Sequence, residues 1–289
     1  MKNTELFNVL LNDVAATSLI TLYCHALESE SENPIINDPK AVEFVQLINS
    51  QLAKSESKLH RKMAKGKLDQ KLIVHIALRA RRYDQYVQKF LSQSPNGIIV
   101  NIGCGFDTRF YRIDNGQVDF YDLDLPEVIE IKQRLLTDNR RYHFISSSVL
   151  QYEWLEELAQ PGNRPILFLA EGVFMYLQPA EVRDLVLKLQ SEFPGSELVC
   201  EVFNSLWLSP PLKKMVNFKM QRELHIGKDA TFNFGIRHSQ EMENWNSGIE
   251  FLDDWTYLDE PEPKIGWLRI FRNLEIFRRT QWTVHYRLN

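Results

Sequence analysis

The sequence predicts an α/β protein with a mostly parallel sheet, and two observations carry this prediction. Between residues 98 and 202, short apolar runs alternate with amphipathic stretches, and strands that alternate with helices form parallel sheets. The first run, 98–101, leads into the turn Gly103-Cys104-Gly105, and the second ends at Asp124, twenty-one residues after Gly103. A strand, a glycine turn, a helix, a second strand and an acid in this order are typical of a nucleotide-binding crossover.

Residues 1–92 predict a helical region that packs on the sheet. Pro34 and the turn at 37–39 interrupt its first part. Residues 71–92 predict one long helix, because their apolar side chains recur near helical spacing. We therefore expect two parts in the chain, a helical region at 1–92 and a core at 93–289.

The sequence pattern of residues 93–289 predicts five strands in succession. After 98–101 they are expected at 118–124, 142–145, 165–170 and 197–202, with helices at 126–136, at 153–159 and from Pro179 onwards. Pro126 suits the first turn of its helix, since the N–H that proline lacks has no partner there.

Residues 204–248 break this alternation. They are rich in aromatic side chains and too long for a simple connection, so we expect a lid inserted at the carboxyl edge of the sheet. A strand-like segment follows at 250–258. Trp282, Val284 and Tyr286 alternate with polar residues, as in a strand with one covered face, and residues 266–289 are expected to form a hairpin.

The composition is that of a globular protein that works inside the cell. Hydrophobic residues make up 44% of the chain, charged residues 25%, and the net charge is −4, which argues against a basic nucleic-acid footprint. Three cysteines form no disulfide framework. The first 20 residues do not resemble a signal peptide, and no apolar run is long enough to span a membrane. We expect a cytoplasmic protein without nucleic-acid or membrane partners. The sequence does not indicate its oligomeric state.

The glycine turn indicates which cofactor is bound. A dinucleotide turn would place a third glycine at Thr108, so a nicotinamide oxidoreductase is disfavoured. Two glycines followed by Asp107 suit a nucleoside without phosphate, for which S-adenosylmethionine is the common case. Asp124 then predicts a ribose contact. The alternatives are an ordinary strand–helix turn for the glycines and a helix N-cap for Asp124.

Four strings carry a resemblance to a known family: GCGFDTRFYR, DLDLPEVIEIK, AEGVFMYL and FPGSELV. They resemble the leucine carboxyl methyltransferase family, and more closely its tetracenomycin-type polyketide O-methyltransferases, over nearly the whole chain from about Leu22. The resemblance implies a class I methyltransferase with a Rossmann-like, seven-stranded sheet, an antiparallel C-terminal ending and a helical cap. It also implies S-adenosylmethionine as methyl donor and S-adenosylhomocysteine as product.

The resemblance assigns roles to individual residues. It places Gly103 and Gly105 against the cofactor, Asp124 on the ribose hydroxyls and Glu171 in the cofactor pocket, where it accepts from the methionine ammonium. Arg79 is the preferred partner of the methionine carboxylate, with Arg81 as the alternative.

Ser148 and Val149 match the pair that contacts adenine in the family. Many members carry Asp-Leu there, so Ser148 keeps a hydrogen-bond acceptor without its charge. A simple cap after the third strand is the alternative for Ser148, and a helix cap is the alternative for Glu171. Asp107 is expected to cap the next helix, and Arg109 to pair with nearby acids that include Asp122.

The methyl acceptor stays open between a carboxylate and a hydroxyl of a small, apolar or aromatic molecule. A carboxylate is ionised at neutral pH, whereas a phenol, with a pKa of about 10, needs a base. His225 and His238 in the expected lid are the candidates for that base. The histidines show no metal-ligand spacing, so no metal is expected. Two alternatives to a small-molecule O-methyltransferase stay open: a cofactor-binding protein without turnover, and a methyltransferase that acts on the C-terminal carboxyl group of proteins.

Overall fold

The computed structural model describes residues 13–136, 139–159, 164–224 and 231–289. Its first part is helical, as predicted. From residue 13 onward, four helices precede the sheet: α1 (Asp13–Ser29), α2 (Pro39–Leu52), α3 (Lys58–Ala64) and α4 (Gln70–Gln93). Asp38 caps α2 by accepting from the Ala41 N–H at 3.0 Å, so the Asp38-Pro39 turn both ends one segment and starts the next.

A seven-stranded sheet forms the core, and this confirms the predicted fold class. The strands are β1 (Ile98–Ile102), β2 (Asp119–Asp124), β3 (Tyr142–Ser146), β4 (Ile166–Ala170), β5 (Ser196–Phe203), β6 (Ile249–Trp255) and β7 (Gln281–Leu288). Their order is β3-β2-β1-β4-β5-β7-β6. The first five are parallel, and β7 runs antiparallel to both β5 and β6.

Helices cover both faces of the sheet. The core contributes α5 (Phe110–Ile113), α6 (Pro126–Leu135), α7 (Leu155–Ala159) and α8 (Pro179–Glu192). Ile99 and Leu167 face the cluster that contains Tyr83 of α4. The neighbouring residues on the strands, Ile98 and Phe168, face the opposite cluster with α8. Successive side chains on a strand point to opposite faces, so both faces of β1 and β4 are apolar.

The expected hairpin at 266–289 is wrong. The antiparallel partner of β7 is β6, and between them lie a 3₁₀ segment at Pro263–Asn273 and the short helix α10 (Glu275–Arg278). Ile265 is buried in one cluster with Val74 and Leu78 of α4. The helical region therefore holds this segment away from the sheet, which the alternation at 282–287 does not reveal.

Residues 204–248 follow β5 as expected, and their described part contains two 3₁₀ turns (Ser205–Leu208 and Glu241–Asn244) and the helix α9 (Leu212–Leu224). Phe232 is buried with Met175 and Phe203, and the backbone of Ile236 pairs with Asn204. The segment is thus tied to the end of β5 on one side and to the turn after β4 on the other. Within the described part of the chain, no helix is long and apolar enough to cross a membrane.

Candidate active site

A cavity of about 340 Å³ lies at the carboxyl ends of β1 and β4. The glycine turn forms its floor, and Glu171 and Gly172 form the wall after β4. One face of helix α4 lines the cavity over two turns, through Leu72, His75, Ile76 and Arg79. The rest of the wall comes from α1 and from the later part of the chain: Ser18, Thr21, His25, Tyr176, Phe232 and Gln281. Open α/β sheets bind ligands at this edge.

Both glycines of the turn have backbone conformations that disfavour a side chain. Gly103 has φ of 62° and Gly105 has φ of 50°, and only glycine adopts such values at little cost. A Cβ at Gly103 would lie 2.4 Å from Val173, and one at Gly105 would lie 2.6 Å from the Ser18 hydroxyl. The turn is therefore packed from both sides by the protein, and its remaining surface lines the cavity.

Arg79 is the buried cation of the site. Its Nε donates to Glu171 at 2.7 Å and its Nη1 donates to Glu201 at 2.8 Å. No hydrogen bond of Nη2 occurs among the described residues, so this nitrogen remains for a ligand. Arg81 points elsewhere and pairs with Glu260 at 2.9 Å. Of the two predicted arginines, the structure brings Arg79 to the cavity.

Glu201 was missed by sequence reasoning, although a signal for it existed. It is a carboxylate inside the apolar run of β5, as costly to bury without a partner as Glu171 after β4. Burial raises the pKa of Glu201 and Arg79 offsets this only in part. Burial also acts to raise the pKa of Glu171, but Arg79 and Arg109 outweigh it and hold that pKa below its usual value.

Arg109 joins the glycine turn to Glu171. It donates to Asp84 at 2.8 Å, to Asp107 at 2.6 Å and to Glu171 at 2.7 Å. The predicted pairing with Asp122 is wrong, because Asp122 lies below the turn and binds Lys132 at 2.6 Å.

The expectation that Asp107 caps the next helix is also wrong. Helix α5 begins one residue after Arg109, and no side chain caps it. Asp107 accepts instead from the backbone N–H of Arg109 at 3.0 Å and from its guanidinium. The GxGxDTR string therefore builds an ion-pair network beneath the cavity.

Asp124 ends β2 as predicted. Its carboxylate accepts from the N–H of Gly105 and from the N–H of Leu125, both at 2.7 Å. Helix α6 starts after Leu125 with no side-chain cap, so Asp124 holds the glycine turn and does not act as an N-cap. Burial raises the pKa of Asp124, and the two N–H groups only partly offset this.

Ser148 and Val149 lie directly after β3. The Ser148 hydroxyl accepts from the Leu150 N–H at 3.3 Å, and the Val149 carbonyl accepts from the Trp154 indole at 3.2 Å. Neither residue lines the cavity, and nor does Asp124. The structure thus gathers Arg79, Gly103, Gly105 and Glu171 around one space and leaves Asp124, Ser148 and Val149 along the neighbouring strand ends.

Similarity to known proteins agrees with this arrangement. A model of the family described as "Leucine carboxyl methyltransferase" matches residues 18–190, more than half of the 289-residue chain. The chain belongs to the leucine carboxyl methyltransferase family. It is 27% identical over 252 residues to the tetracenomycin polyketide synthesis O-methyltransferase TcmP of Streptomyces glaucescens, covering 87% of this chain and 86% of TcmP.

Two further similarities extend the comparison. The S-adenosyl-L-methionine-dependent methyltransferase dpfgK of Gibberella zeae is 27% identical over 210 residues, covering 67% of this chain and 66% of that protein. A crystal structure from Thermobifida fusca matches with a TM-score of 0.56 at 16% identity, covering 84% of this chain and 93% of the other. At that identity the crystal structure supports the fold alone.

Of the two histidines expected to act as a base in this member of the methyltransferase family, the structure describes one. His225 lies outside the described residues, and His238 is exposed on a turn and does not line the cavity. His25 and His75 line it instead. The signal for His75 was its position one turn before Arg79 on the same helix face. Burial lowers the pKa of His75 to about 3, and the positive charge of Arg79 acts in the same direction. The imidazole is therefore neutral.

No metal site is found in the described part of the chain, since no group of three or more histidine, cysteine or acidic side chains converges there. The polar groups at the cavity include one arginine paired with carboxylates, two imidazoles, backbone N–H groups and hydroxyls. This donor set suits a small organic ligand that carries both a carboxylate and a cation, because each charge finds a complementary group.

Proposed function

We propose that this protein is an S-adenosylmethionine-dependent O-methyltransferase that acts on a small molecule. One observation carries the proposal: the hydrogen-bonded pair Arg79 and Glu171 lines one cavity together with a two-glycine turn, at the carboxyl ends of β1 and β4. The similarity to TcmP supports oxygen as the atom that is methylated.

The residues fit the cofactor. Its amino-acid part carries an ammonium and a carboxylate, and the cavity offers Glu171 for the first and Nη2 of Arg79 for the second. The volume of about 340 Å³ lies within the range of small-molecule sites, about 300–1,000 Å³. Asp124 and Ser148, on the next strand ends, would hold the ribose and the adenine. When bound, the cofactor supplies a methyl group on a positively charged sulfur.

The protein's own contribution is position and charge. Gly103 and Gly105 let the backbone approach the ligand, and Glu171 and Glu201 place negative charge near a cationic sulfur. Leu72, Ile76 and Phe232 exclude water from the space beside it. Holding two reactants in line in a dry site supplies a large part of the acceleration in such transfers.

Isothermal titration calorimetry tests the cofactor. We expect S-adenosylhomocysteine to bind with micromolar affinity or tighter, and NAD not to bind. Glu171→Ala is expected to weaken S-adenosylhomocysteine binding. NAD binding without a response to S-adenosylhomocysteine would reject the proposal.

A donor-consumption screen tests the reaction. The panel contains phenols, small carboxylic acids and peptides with free C-termini, with product masses read by mass spectrometry. Methyl transfer to oxygen of a small molecule supports the proposal. Transfer to nitrogen, transfer only to peptide C-termini, or tight cofactor binding with no transfer to any acceptor class would contradict it.

A further inference from the structure

His25 is a buried imidazole with one free nitrogen. It is 2% exposed, and its Nδ1 lies 3.1 Å from Oδ2 of Asp38. Nε2 is buried and has no hydrogen-bond partner among the described residues. Since the ring lines the cavity and Nδ1 is directed at Asp38, Nε2 is the ring nitrogen left for a ligand.

Asp38 is held as an anion. Its carboxylate accepts from the Thr108 hydroxyl at 2.8 and 2.7 Å and from Arg112. Burial acts to raise the pKa of Asp38, but Arg112 and His25 outweigh it and hold the pKa below its usual value. A carboxylate fixed in this way accepts the Nδ1 proton of the imidazole and leaves the lone pair of a neutral ring on Nε2.

The other charged groups around the cavity are already engaged. Arg79 and Arg109 each bind two or more carboxylates, and Arg112 binds Asp84 as well as Asp38. Asp107, which also lines the cavity, is paired with Arg109. Burial lowers the pKa of His75 and keeps it neutral, and its ring packs against that of Tyr257 with 4.5 Å between the ring centroids. Of the two histidines that line the cavity, His25 is the one whose ring nitrogen lies within hydrogen-bond distance of a carboxylate in the described part of the chain.

We propose that His25, oriented by Asp38, removes the proton from a hydroxyl group of the methyl acceptor. This inference rests on the proposed function and narrows it, because it selects a hydroxyl, such as a phenol, over a carboxylate that needs no base. Asp38 is a positioning residue here, and His25 is the catalytic residue.

The step balances without another reactant. The hydroxyl proton moves to Nε2 of His25, and the positive charge that forms on the ring is compensated by Asp38. The acceptor oxygen uses the freed electron pair to bond to the methyl carbon as the carbon–sulfur bond breaks. The electron pair of that bond stays on sulfur, which becomes neutral, and His25 later releases its proton to solvent.

Nitrogen-15 NMR of histidine-labelled protein with bound S-adenosylhomocysteine tests the tautomer without any turnover. His25 is assigned by the signals that disappear in His25→Gln. We expect a protonated Nδ1 and an unprotonated Nε2 at pH 8, and a shift of the Nε2 signal when phenol, which keeps its hydroxyl proton at this pH, is added. A neutral ring protonated on Nε2, or a ring protonated on both nitrogens at pH 8, would overturn the proposal.

A matched control lies at the other end of the sheet. Nε2 of His285 lies 2.7 Å from Glu197, and the second ring nitrogen is buried without a partner among the described residues. This pair has the same chemistry but does not line the cavity. His285→Gln is expected to leave methyl transfer unchanged, so an effect of His25→Gln cannot be attributed to the loss of any buried imidazole pair.

The acceptor's own pKa gives the second readout. With phenol, we expect kcat of His25→Gln to fall about 10²–10⁴-fold, with S-adenosylhomocysteine affinity changed less than threefold. With 4-nitrophenol, which is already ionised at pH 8, the loss is expected to vanish. An equal loss with both acceptors, or weaker cofactor binding with kcat intact, would assign His25 to positioning or to the cofactor site and overturn the proposal. Cofactor binding that fails in the wild-type protein would instead refute the proposed function.

Discussion

The two ends of the proposed cofactor site are built differently. At the amino-acid end, Arg79, Arg109, Glu171 and Glu201 form one buried ion-pair network that also joins α4 to β4 and β5. At the nucleoside end, Asp124 binds two backbone N–H groups and Ser148 binds one. A substitution at the first end breaks buried ion pairs between helix and sheet, whereas one at the second end breaks only hydrogen bonds to nearby backbone N–H groups. Substitutions at the two ends should therefore differ in what they change.

The largest effect is expected from Glu171→Gln at the amino-acid end. The substitution leaves Arg79 and Arg109 buried with one carboxylate fewer, and breaking a buried pair costs about 3–5 kcal/mol. Urea denaturation should show that loss in the free energy of unfolding. Glu275→Gln is the matched control, because Glu275 is exposed and its pairs with Arg278 and Arg279 are worth about 0–1 kcal/mol. Equal losses in the two variants would break the comparison.

The second largest effect is a loss of stability at acidic pH. The Arg109 guanidinium outweighs burial and lowers the pKa of Asp107 to about 2, from a usual 3.8. A group with a depressed folded pKa contributes stability above its unfolded pKa and loses it as pH falls through the folded value. We expect the free energy of unfolding to drop by about 2 kcal/mol for this group between pH 4 and pH 2.

Urea denaturation at pH 5, 4, 3 and 2 measures that dependence. In Asp107→Asn the slope between pH 4 and pH 2 should become shallower, since the titrating carboxyl is gone. A slope identical to that of the wild-type protein would show that Asp107 does not contribute to acid sensitivity.

At the nucleoside end, Asp124→Asn should reduce affinity for S-adenosylhomocysteine about tenfold or more, because charge-assisted hydrogen bonds to the ribose become neutral ones. The free energy of unfolding should fall by about 1–3 kcal/mol, because asparagine keeps an acceptor for only one of the two backbone N–H groups and turns an N–H donor toward the other. Calorimetry and urea denaturation measure the two quantities. Asp119→Asn, at the start of the same strand, is the control for affinity. A large stability loss with unchanged affinity would make Asp124 a structural residue only.

The smallest expected effect is a gain in affinity for S-adenosylhomocysteine. Ser148→Asp restores the acid that many family members carry, and a charged acceptor for the adenine amino group should tighten S-adenosylhomocysteine binding about three- to tenfold, in line with the strength of charge-assisted hydrogen bonds. Ser147→Asp places the same charge one residue earlier and should not. An equal gain in both variants would indicate a general electrostatic effect and no specific contact.

Much of the molecule was predictable because its signals are local. The alternation of apolar runs and helices predicted the five parallel strands to within a few residues, and the family strings predicted the fold class. The positions of Gly103, Asp124 and Glu171 at strand ends follow from parallel topology alone, since every such strand ends at the same edge.

The strand pattern predicts which residues reach that edge, whereas the packing of the helices against the sheet sets which of them share a cavity. Arg79 was distinguished from Arg81 only by the rotation of α4 against the sheet. His25 and Asp38 are thirteen residues apart, and Asp38 meets Thr108 and Arg112 across seventy or more residues. The prediction of a hairpin at 266–289 was wrong for the same reason, because residues 263–273 pack on α4 and not on the sheet. Local periodicity reports burial along one element, whereas an ion pair or a free imidazole nitrogen depends on how several elements pack together.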